Sequence, residues 1–206
     1  MPRIVDREAR RLEIVETYLA IVAADGIESA TTRRLAAELG VATGALWHYF
    51  TDFDQVLQMA LRLAFERTNE RIAAQTAGQQ GLDALRVMIE QIHPLDKVTG
   101  DEALVVVRFW GRAASHPALG RLQAGIEAEW GAAFRRHLQE AVGAGDLRDG
   151  IPVEDIADVL LTLGTGIQVE FALRSEVAEP ARQWRIVRTV LGPWLTPSGG
   201  SRLPAD

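Results

Sequence analysis

Apolar residues recur at spacings of three and four along almost the whole chain, and no run alternates apolar and polar residues as a half-buried strand would. Glycine and proline cluster at the breaks between these segments. Gly26, for example, follows the first segment, where it can take the left-handed conformation that ends a helix. We therefore predict an all-α fold of about nine helices, in which a three-helix N-terminal domain precedes a larger helical domain.

The periodic segments fill most of the 206 residues. They predict helices over 6–24, 32–39, 43–50, 53–75, 80–92, 101–114, 118–142, 153–175 and 180–195. With 48% hydrophobic residues, these helices can bury a substantial core. The final stretch, PSGGSRLPAD, has instead the composition of a disordered end.

The absence of cysteine excludes disulfides and thiolate metal sites. The chain starts with a charged segment in place of the apolar run of a signal peptide. It also lacks a stretch that stays apolar for the roughly 18 residues that a membrane span needs. We therefore expect a cytoplasmic protein that has no membrane partner.

The formal net charge of −6 argues against DNA binding by bulk charge. The acidity is uneven, because residues 1–50 carry six arginines and seven acidic residues, whereas the remainder carries 16 basic and 21 acidic residues. Four of the arginines crowd the N-terminus, at Arg3, Arg7, Arg10 and Arg11. They could form a flexible arm along DNA phosphates, or simply a solvated charged end.

The segment TTRRLAAELGVATGALWHYF, which starts at Thr31, has the residues that two crossing helices need. Ala36 is small enough for a second helix to pass close above it, and Gly40 can adopt the positive φ of a short turn. Leu46 fills the space between the helices, and Thr31 is a good N-cap. This spacing predicts a helix-turn-helix, although a helical hairpin with core aromatics is the alternative.

The second helix of this pair has small residues near its start and hydrogen-bonding aromatics near its end. Small residues permit close approach to base edges, while Tyr49 and His48 can donate to phosphate oxygens. The candidate DNA-binding residues are Thr31, Thr32, Arg33, Thr43, Gly44, Ala45, Trp47, His48 and Tyr49.

The run ATTRRLAAELGVATGALWHYF, followed by an acidic helix start at Asp52, resembles the N-terminal domain of the TetR family over about residues 8–60. Two positions depart from that family. Phe53 stands where a phosphate-contacting lysine is usual, and Ala42 stands where a Ser or Thr cap is common. Asp52 and Gln55 still form a capping-box pattern.

The resemblance implies a transcriptional regulator that binds double-stranded DNA as a homodimer and responds to a small-molecule effector. We predict a helix-turn-helix DNA-binding domain at 1–52, a helical ligand-binding and dimerisation domain at 53–196, and a disordered tail at 197–206. The expected mechanism is repression at a palindromic operator, which ends when the effector moves the helix over 53–75. An activator of the same fold is the alternative.

A dimer is expected because one helix-turn-helix contacts only a few base pairs. The last two helices are apolar on more than one side and carry glycines that permit close approach. The candidate interface residues are Leu160, Leu163, Gly164, Ile167, Phe171, Trp184 and Leu191. Core packing within a single chain is the alternative for these residues.

The family resemblance also implies a pocket among the middle helices. Arg108 interrupts the apolar segment LVVVRFW, and a buried guanidinium needs a partner, which could be Glu127, Glu170 or an anionic ligand. The candidate ligand-binding residues are His93, Arg108, Phe109, Trp110, Trp130, Phe134 and Gln168. The C-terminal part looks like the ligand domain of BetI-like members, but no choline-type aromatic cage can be assigned, and the effector stays open.

Other functional classes find little support in the residues. The four histidines lack ligand spacing, and neither a Ser-His-Asp order nor a nucleotide-binding glycine loop is present. We therefore predict no catalytic residue, no metal site and no cofactor. The remaining alternatives are a helical small-molecule-binding enzyme, a metal sensor with ligands on several helices, and a helical adaptor that binds only protein.

Overall fold

The structure is a computed structural model that describes residues 2–113 and 117–204, and these residues form helices and no β-strand. The prediction of an all-α fold is confirmed. The α-helices are α1 (Pro2–Asp25), α2 (Thr32–Glu38), α3 (Phe53–Gln75), α4 (Gly81–Ile92), α5 (Lys97–Ala113), α6 (Pro117–Gly143), α7 (Val153–Ala172), α8 (Pro180–Leu191) and α9 (Pro197–Gly200). Short 3₁₀-helices span Ile27–Ser29, Thr43–His48, Glu176–Ala178 and Gly192–Trp194. Among the described residues, no helix is long and apolar enough to span a bilayer.

Helix α5 begins four residues before the predicted position, because Asp96 and Thr99 cap it reciprocally. The Asp96 carboxylate accepts a hydrogen bond from the Thr99 N–H at 2.9 Å, and Thr99 Oγ1 accepts one from the Asp96 N–H at 3.1 Å. Gly100 therefore lies inside the helix and does not mark a break. A Cβ at Gly100 would lie 2.7 Å from Phe171 Cζ, so the glycine permits the close contact of α5 with α7.

The prediction of a disordered tail is wrong for residues 197–204, and residues 205–206 lie outside the described part of the chain. Leu203 is only 4% exposed and packs in the core of the C-terminal domain. Arg202 forms ion pairs with Asp83 on α4 and with Asp146 in the α6–α7 loop. The tail has a polar composition, but these tertiary contacts give its last turns a fixed position.

At one glycine of the tail, Gly199, the surrounding backbone leaves no room for a larger residue. A Cβ at Gly199 would overlap the backbone carbonyl oxygen of Asp146, and its neighbour Gly200 has no atom within 4 Å of the same position. We expect Gly199→Ala to lower the free energy of unfolding by roughly 1–3 kcal/mol, because backbone must shift to make room. Thermal unfolding measures this change. Gly200→Ala is the matched control, and an equal loss in both variants would contradict the packing argument.

The described residues form an N-terminal core, a C-terminal core and a smaller cluster between them, which contains Leu61 of α3, Phe109 of α5, and Leu119 and Ile126 of α6. The N-terminal core contains residues of α1, α2, the 43–48 segment and the first turns of α3, together with Val105 of α5. The C-terminal core is built mainly from α4, α6, α7 and α8. Polar contacts also tie α3 and α5 to α1. Arg67 of α3 pairs with Glu16 of α1 at 2.7 Å, and Lys97 of α5 donates to the carbonyl oxygen of Ala23 of α1 at 2.9 Å.

Candidate functional site

The N-terminal residues form a helix-turn-helix at the predicted positions. Thr31 Oγ1 caps α2 by accepting a hydrogen bond from the Arg34 N–H at 3.2 Å. Gly40 has a φ of +65°, which gives the turn its left-handed residue. Ala36 and Leu46 are each 2% exposed and belong to the core between the two helical elements. The second element is a 3₁₀-helix over Thr43–His48, whereas the sequence predicts a helix over 43–50.

All nine candidate DNA-binding residues lie at least partly at the surface of the helix-turn-helix. The exposed ones are Thr31, Arg33, Thr43, Gly44, Trp47 and His48, and the half-buried ones are Thr32, Ala45 and Tyr49. Leu46 and Phe50 point into the core from the opposite side of the second element. Near its start, Gly44 has no side chain, and the space where a Cβ would stand is open.

Three of the N-terminal arginines, Arg7, Arg10 and Arg11, lie on α1 and contact neighbouring residues of the chain. Arg10 pairs with Glu13 at 2.6 Å, and Arg11 pairs with Glu8 and lies 5.0 Å from the Phe50 ring centroid. Arg7 donates to the carbonyl oxygen of His48 at 3.4 Å, which places a positive charge beside the second element. The side chain of Arg3 lies outside the described part of the structure.

Phe53, which replaces the usual lysine, packs inward against the α1–α5 contact. Its ring centroid lies 5.8 Å from that of Tyr18, with the rings at 78°, and the Arg108 guanidinium carbon lies 5.9 Å from the Phe53 centroid. Tyr18 is fully buried, and its burial raises the pKa of the phenol to about 12, although the Arg108 charge partly opposes this shift. Arg108 therefore faces the N-terminal domain, since α5 turns this side towards Phe53.

Asp52 caps the start of α3 with its side chain, whereas Ala42 cannot cap the start of the 43–48 segment. The Asp52 carboxylate accepts a hydrogen bond from the Gln55 N–H at 2.9 Å, and Gln55 Oε1 accepts one from the Thr51 N–H at 3.1 Å. Ala42 precedes the 43–48 segment and provides no side-chain cap. The start of α3 is therefore fixed without a lysine, while the start of the second element has lost one polar contact.

A cavity lies between α3, α4, α5, α6 and α7. Its wall is mainly apolar and includes the aromatic rings of Phe65, Trp110 and Trp130. The lining residues are Leu61, Ala64, Phe65, Thr68, Gln91, Ile92, Thr99, Glu102, Val106, Trp110, Gln123, Ile126, Glu127, Trp130, Leu161, Gly164, Thr165 and Gln168. A mainly apolar wall with a few polar groups is typical of small-molecule sites.

Three of the predicted ligand-binding residues, Trp110, Trp130 and Gln168, line this cavity, and the other four do not. Phe109 and Phe134 are 0% and 2% exposed and pack into the neighbouring cores. Arg108 points towards Phe53, on another side of α5. His93 is buried behind the wall, where a Cβ on Gly164 would lie 3.8 Å from its Nε2 atom.

The lining contributed by α3 was not predicted. It comprises Leu61, Ala64, Phe65 and Thr68, whose spacing of three, one and three places them on one face of the helix. Phe65 pairs with Trp130, with centroids 5.4 Å apart and rings at 49°. The spacing was therefore a usable signal, but the sequence does not show which face of α3 turns to the cavity.

The Glu102 carboxylate in the cavity wall has protein partners. Arg71 donates to both Glu102 oxygens, at 2.9 and 2.7 Å, and its Nε donates to Gln91 Oε1 at 2.8 Å. Thr68 Oγ1 donates to Glu102 Oε2 at 3.1 Å. Protein groups therefore satisfy the Glu102 carboxylate, and this pair joins α3 to α4 and α5.

The buried His93 makes stability depend on pH. Burial lowers the pKa of its imidazole to about 4, because desolvation disfavours the charged ring. The unfolded chain, with a histidine pKa near 6.5, then binds the proton first, so stability is highest above pH 6.5 and falls as the pH drops towards 4. We expect His93→Gln to remove up to about 3 kcal/mol of this dependence. Denaturant unfolding at pH 7 and pH 4.5 measures it, and an unchanged pH dependence would contradict the assignment.

Most of the predicted dimer residues pack within one chain, which corrects the prediction for them. Leu160, Ile167, Trp184 and Leu191 are at most 8% exposed, and Gly164 packs against Ile92 and His93. Leu163 and Phe171 are half-buried. The most apolar faces of α7 and α8 cover the core of their own chain, so any interface on these helices uses their exposed faces.

The described residues contain no group of three or more histidine, aspartate or glutamate side chains placed to bind a metal ion.

Comparison with known families matches both parts of the chain. Residues 14–59 match the model of bacterial regulatory proteins of the tetR family, and residues 81–193 match the model of the C-terminal domain of BetI-type transcriptional repressors.

Two curated relatives agree with this assignment. The HTH-type transcriptional regulator PksA of Bacillus subtilis is 39% identical over 72 residues, which are 35% of each chain. The HTH-type transcriptional regulator BetI of Paraburkholderia phymatum is 30% identical over 128 residues, which are 60% of this chain and 64% of BetI. The chain therefore spans about a third of the first relative and just under two thirds of the second.

A solved structure agrees with the fold. A transcriptional regulator from Saccharomonospora viridis, in complex with choline, superposes with a TM-score of 0.79 over 90% of this chain and 96% of its own. Its sequence is 18% identical, so the likeness concerns the fold alone.

Proposed function

The chain belongs to the TetR family of transcriptional regulators, and on this premise we propose that it is a dimeric repressor which a small-molecule effector releases from a palindromic operator. Members of the family are regulators and not enzymes. The observation that carries the proposal is that α3 and α5 contribute both to the core under the helix-turn-helix and to the wall of the cavity. The protein acts in the cytoplasm, where its operator DNA lies.

The 43–48 segment reads the operator in the major groove. Thr43, Gly44 and Ala45 approach base edges, because small side chains let the backbone come close. Trp47, His48 and Tyr49 follow at the aromatic end, where hydroxyl and ring N–H groups donate to phosphate oxygens. Thr31, Thr32 and Arg33 hold the backbone from the start of α2, where amide groups and a guanidinium suit a phosphate.

The effector acts on the reading surface through α3 and α5. On α5, Val105 is buried in the N-terminal core, and its neighbour Val106 lines the cavity. On α3, Leu57 lies in the N-terminal core, and Leu61, one turn later, lines the cavity. A ligand that prefers a displaced position of these helices lowers DNA affinity by its differential affinity for the two states, typically about 1–3 kcal/mol.

The exposed face of α7 supports the dimer. Val159, Thr162, Gly166, Val169 and Leu173 follow each other at spacings of three and four, so they form one stripe along the helix. Val159 is 39% exposed and Leu173 is 70% exposed, so apolar side chains of this stripe face solvent in the single chain. Gly166 has no neighbouring atom within 4 Å of a Cβ position, so a second copy could approach closely there.

The cavity between α3 and α7 is the effector site of this proposal. The Saccharomonospora viridis regulator, which shares the fold, was solved with choline. In this chain, the rings of Phe65, Trp110 and Trp130 line a mainly apolar cavity.

Selection of binding sites from random duplex DNA tests the function. The purified full-length chain is incubated with the library at low salt, and the retained duplexes are amplified and sequenced over several rounds. We expect enrichment of a two-fold-symmetric sequence whose half-sites lie about one helical turn apart. Failure to enrich any such sequence would contradict the proposal, and enrichment without symmetry would contradict the dimer.

Two substitutions separate the positioning contacts from the reading contacts. Tyr49→Phe removes one hydroxyl, so we expect it to weaken binding to all duplexes by a similar factor, because phosphate contacts carry no sequence information. Thr43→Ala is expected to change which base is preferred at one position of each half-site. Binding isotherms on the selected operator and its single-base variants measure both effects, and the reverse pattern would contradict these roles.

A further inference from the structure

The indole of Trp110 holds a hydrogen-bond donor that the protein does not use. Trp110 lines the cavity, and its Nε1 atom is buried from solvent without a hydrogen-bond partner. An indole N–H can only donate, and a buried donor left unpaired costs free energy. A tryptophan in a core normally has a partner for this group, so its absence here needs an explanation.

Other polar side chains of the cavity wall already have protein partners. Trp130 Nε1 donates to Asn69 Oδ1 at 2.9 Å, and Gln168 Nε2 donates to the Ile92 carbonyl oxygen at 2.9 Å. Glu102 accepts from Arg71 and Thr68, as described above. The contrast between the two tryptophans is informative, because both line the same cavity and only the Trp110 donor lacks an acceptor.

The charge of the wall restricts the ligand further. Its ionisable side chains are two carboxylates: Glu102, which Arg71 neutralises, and Glu127, which is exposed and accepts a hydrogen bond from Gln123 at 3.0 Å. An anionic ligand would meet these carboxylates and no lining cation. A cationic head group would also lose its hydration in the apolar part, where Arg71 already neutralises Glu102 and Glu127 lies exposed at the surface.

We propose that the effector is an uncharged, mainly apolar molecule with a carbonyl or ether oxygen that accepts a hydrogen bond from Trp110 Nε1. The inference rests on the proposed function, because it gives the chemistry of the effector site. The apolar wall binds the body of the molecule, and the single unpaired donor orients it. Trp110 lies next to the Val105–Val106 turn of α5, so a ligand bound to its indole acts directly on the helix that reaches the N-terminal core.

A pair of isosteric probes tests the hydrogen bond. 2-Acetylnaphthalene carries a carbonyl group, and 2-isopropenylnaphthalene replaces that oxygen by a methylene group. Their affinities are measured by equilibrium dialysis against the wild-type chain, Trp110→Phe and Trp130→Phe. We expect Trp110→Phe to lower the affinity for the ketone relative to the alkene about three- to tenfold, because one hydrogen bond is lost. Trp130→Phe is the matched control and should change both affinities by the same factor.

A second measurement uses the unaltered chain. The indole N–H proton of Trp110, identified by its absence in Trp110→Phe, should shift further downfield with the ketone than with the alkene in an NMR titration of ¹⁵N-labelled protein. Equal shifts, an unchanged affinity ratio in Trp110→Phe, or no binding of either probe would overturn the inference. Tighter binding of choline than of the ketone would overturn the uncharged class.

The selection experiment keeps this inference separate from the function. If a symmetric operator is enriched and Trp110→Phe leaves the ratio of ketone to alkene affinity unchanged, the proposed repressor function is supported and the proposed effector chemistry is wrong. If no operator is enriched and Trp110→Phe lowers the ratio of ketone to alkene affinity as expected, the proposed ligand chemistry of the cavity is supported and the proposed repressor function is wrong.

Discussion

Gly44→Glu is expected to lower operator affinity by about three orders of magnitude. Gly44 is exposed at the start of the 43–48 segment, and nothing lies within 4 Å of its Cβ position. The chain itself therefore has room for the new side chain. A glutamate at this place brings both bulk and negative charge against bases and phosphates. A loss of about 2 kcal/mol at each of two half-sites gives a total near 4 kcal/mol, which is roughly 1,000-fold.

Fluorescence anisotropy with the selected operator measures this loss. Gly125→Glu is the matched control, because Gly125 is also an exposed glycine with an open Cβ position, but it lies on α6. Both variants add the same charge to the chain, so a general electrostatic effect would appear in both. An equal loss in the two variants, or no loss in Gly44→Glu, would contradict the assignment of the 43–48 segment to the groove.

The double variant Val159→Glu, Leu173→Glu is expected to split the dimer. Both side chains belong to the exposed stripe of α7, and a two-fold axis places four carboxylates in the interface of the variant. Uncompensated charges in an apolar interface cost more than the contacts they replace. A monomer holds one half-site, so we expect operator affinity to fall about 30-fold or more, since half of a specific term of roughly 4–10 kcal/mol is lost.

Sedimentation velocity at micromolar concentration gives the oligomeric state. Val98→Glu provides the control, because Val98 is another exposed valine, 54% accessible, on α5 and away from the stripe. The control should remain a dimer and keep its operator affinity. A double variant that sediments as the wild type would show that the α7 stripe is not the interface.

Local spacing predicts local structure well in this chain. Gly40 has the positive φ that a short turn demands, and Ala36 and Leu46 are buried where two crossing helices need small and apolar residues. Asp52 caps α3 as its spacing from Gln55 indicates, while Gln55 Oε1 accepts from the Thr51 N–H and not from that of Asp52. These features depend on residues within a few positions of each other, so periodicity and turn chemistry are sufficient to find them.

Features that depend on contacts distant along the chain were missed. Two aromatic residues, Phe109 and Trp110, are adjacent on α5. Trp110 lines the cavity, whereas Phe109 is buried in the core. Arg108 turns to Phe53, because α5 crosses close to the start of α3. Spacing shows that a helix has several apolar faces, but only the packing of its neighbours decides which face meets the cavity.

The predictions for the tail and for the dimer interface were wrong for the same reason, because both depend on contacts between distant parts of the chain. Arg202 and Leu203 are held by partners on distant elements, which composition does not show. Trp184 and Leu191 were assigned to an interface because α8 is apolar, although a buried face of a single chain has the same composition. The exposed residue Leu173 is the more informative one, because a chain that acted alone would gain little from it.

Hydroxyl-radical footprinting of the full-length chain on its selected duplex tests the central claim, a dimer that reads two half-sites, most directly. We expect two protected tracts about one helical turn apart, roughly 34 Å between their centres, with two chains bound per duplex and both tracts lost together on Gly44→Glu. A single protected tract, or uniform protection without a preferred sequence, would contradict it.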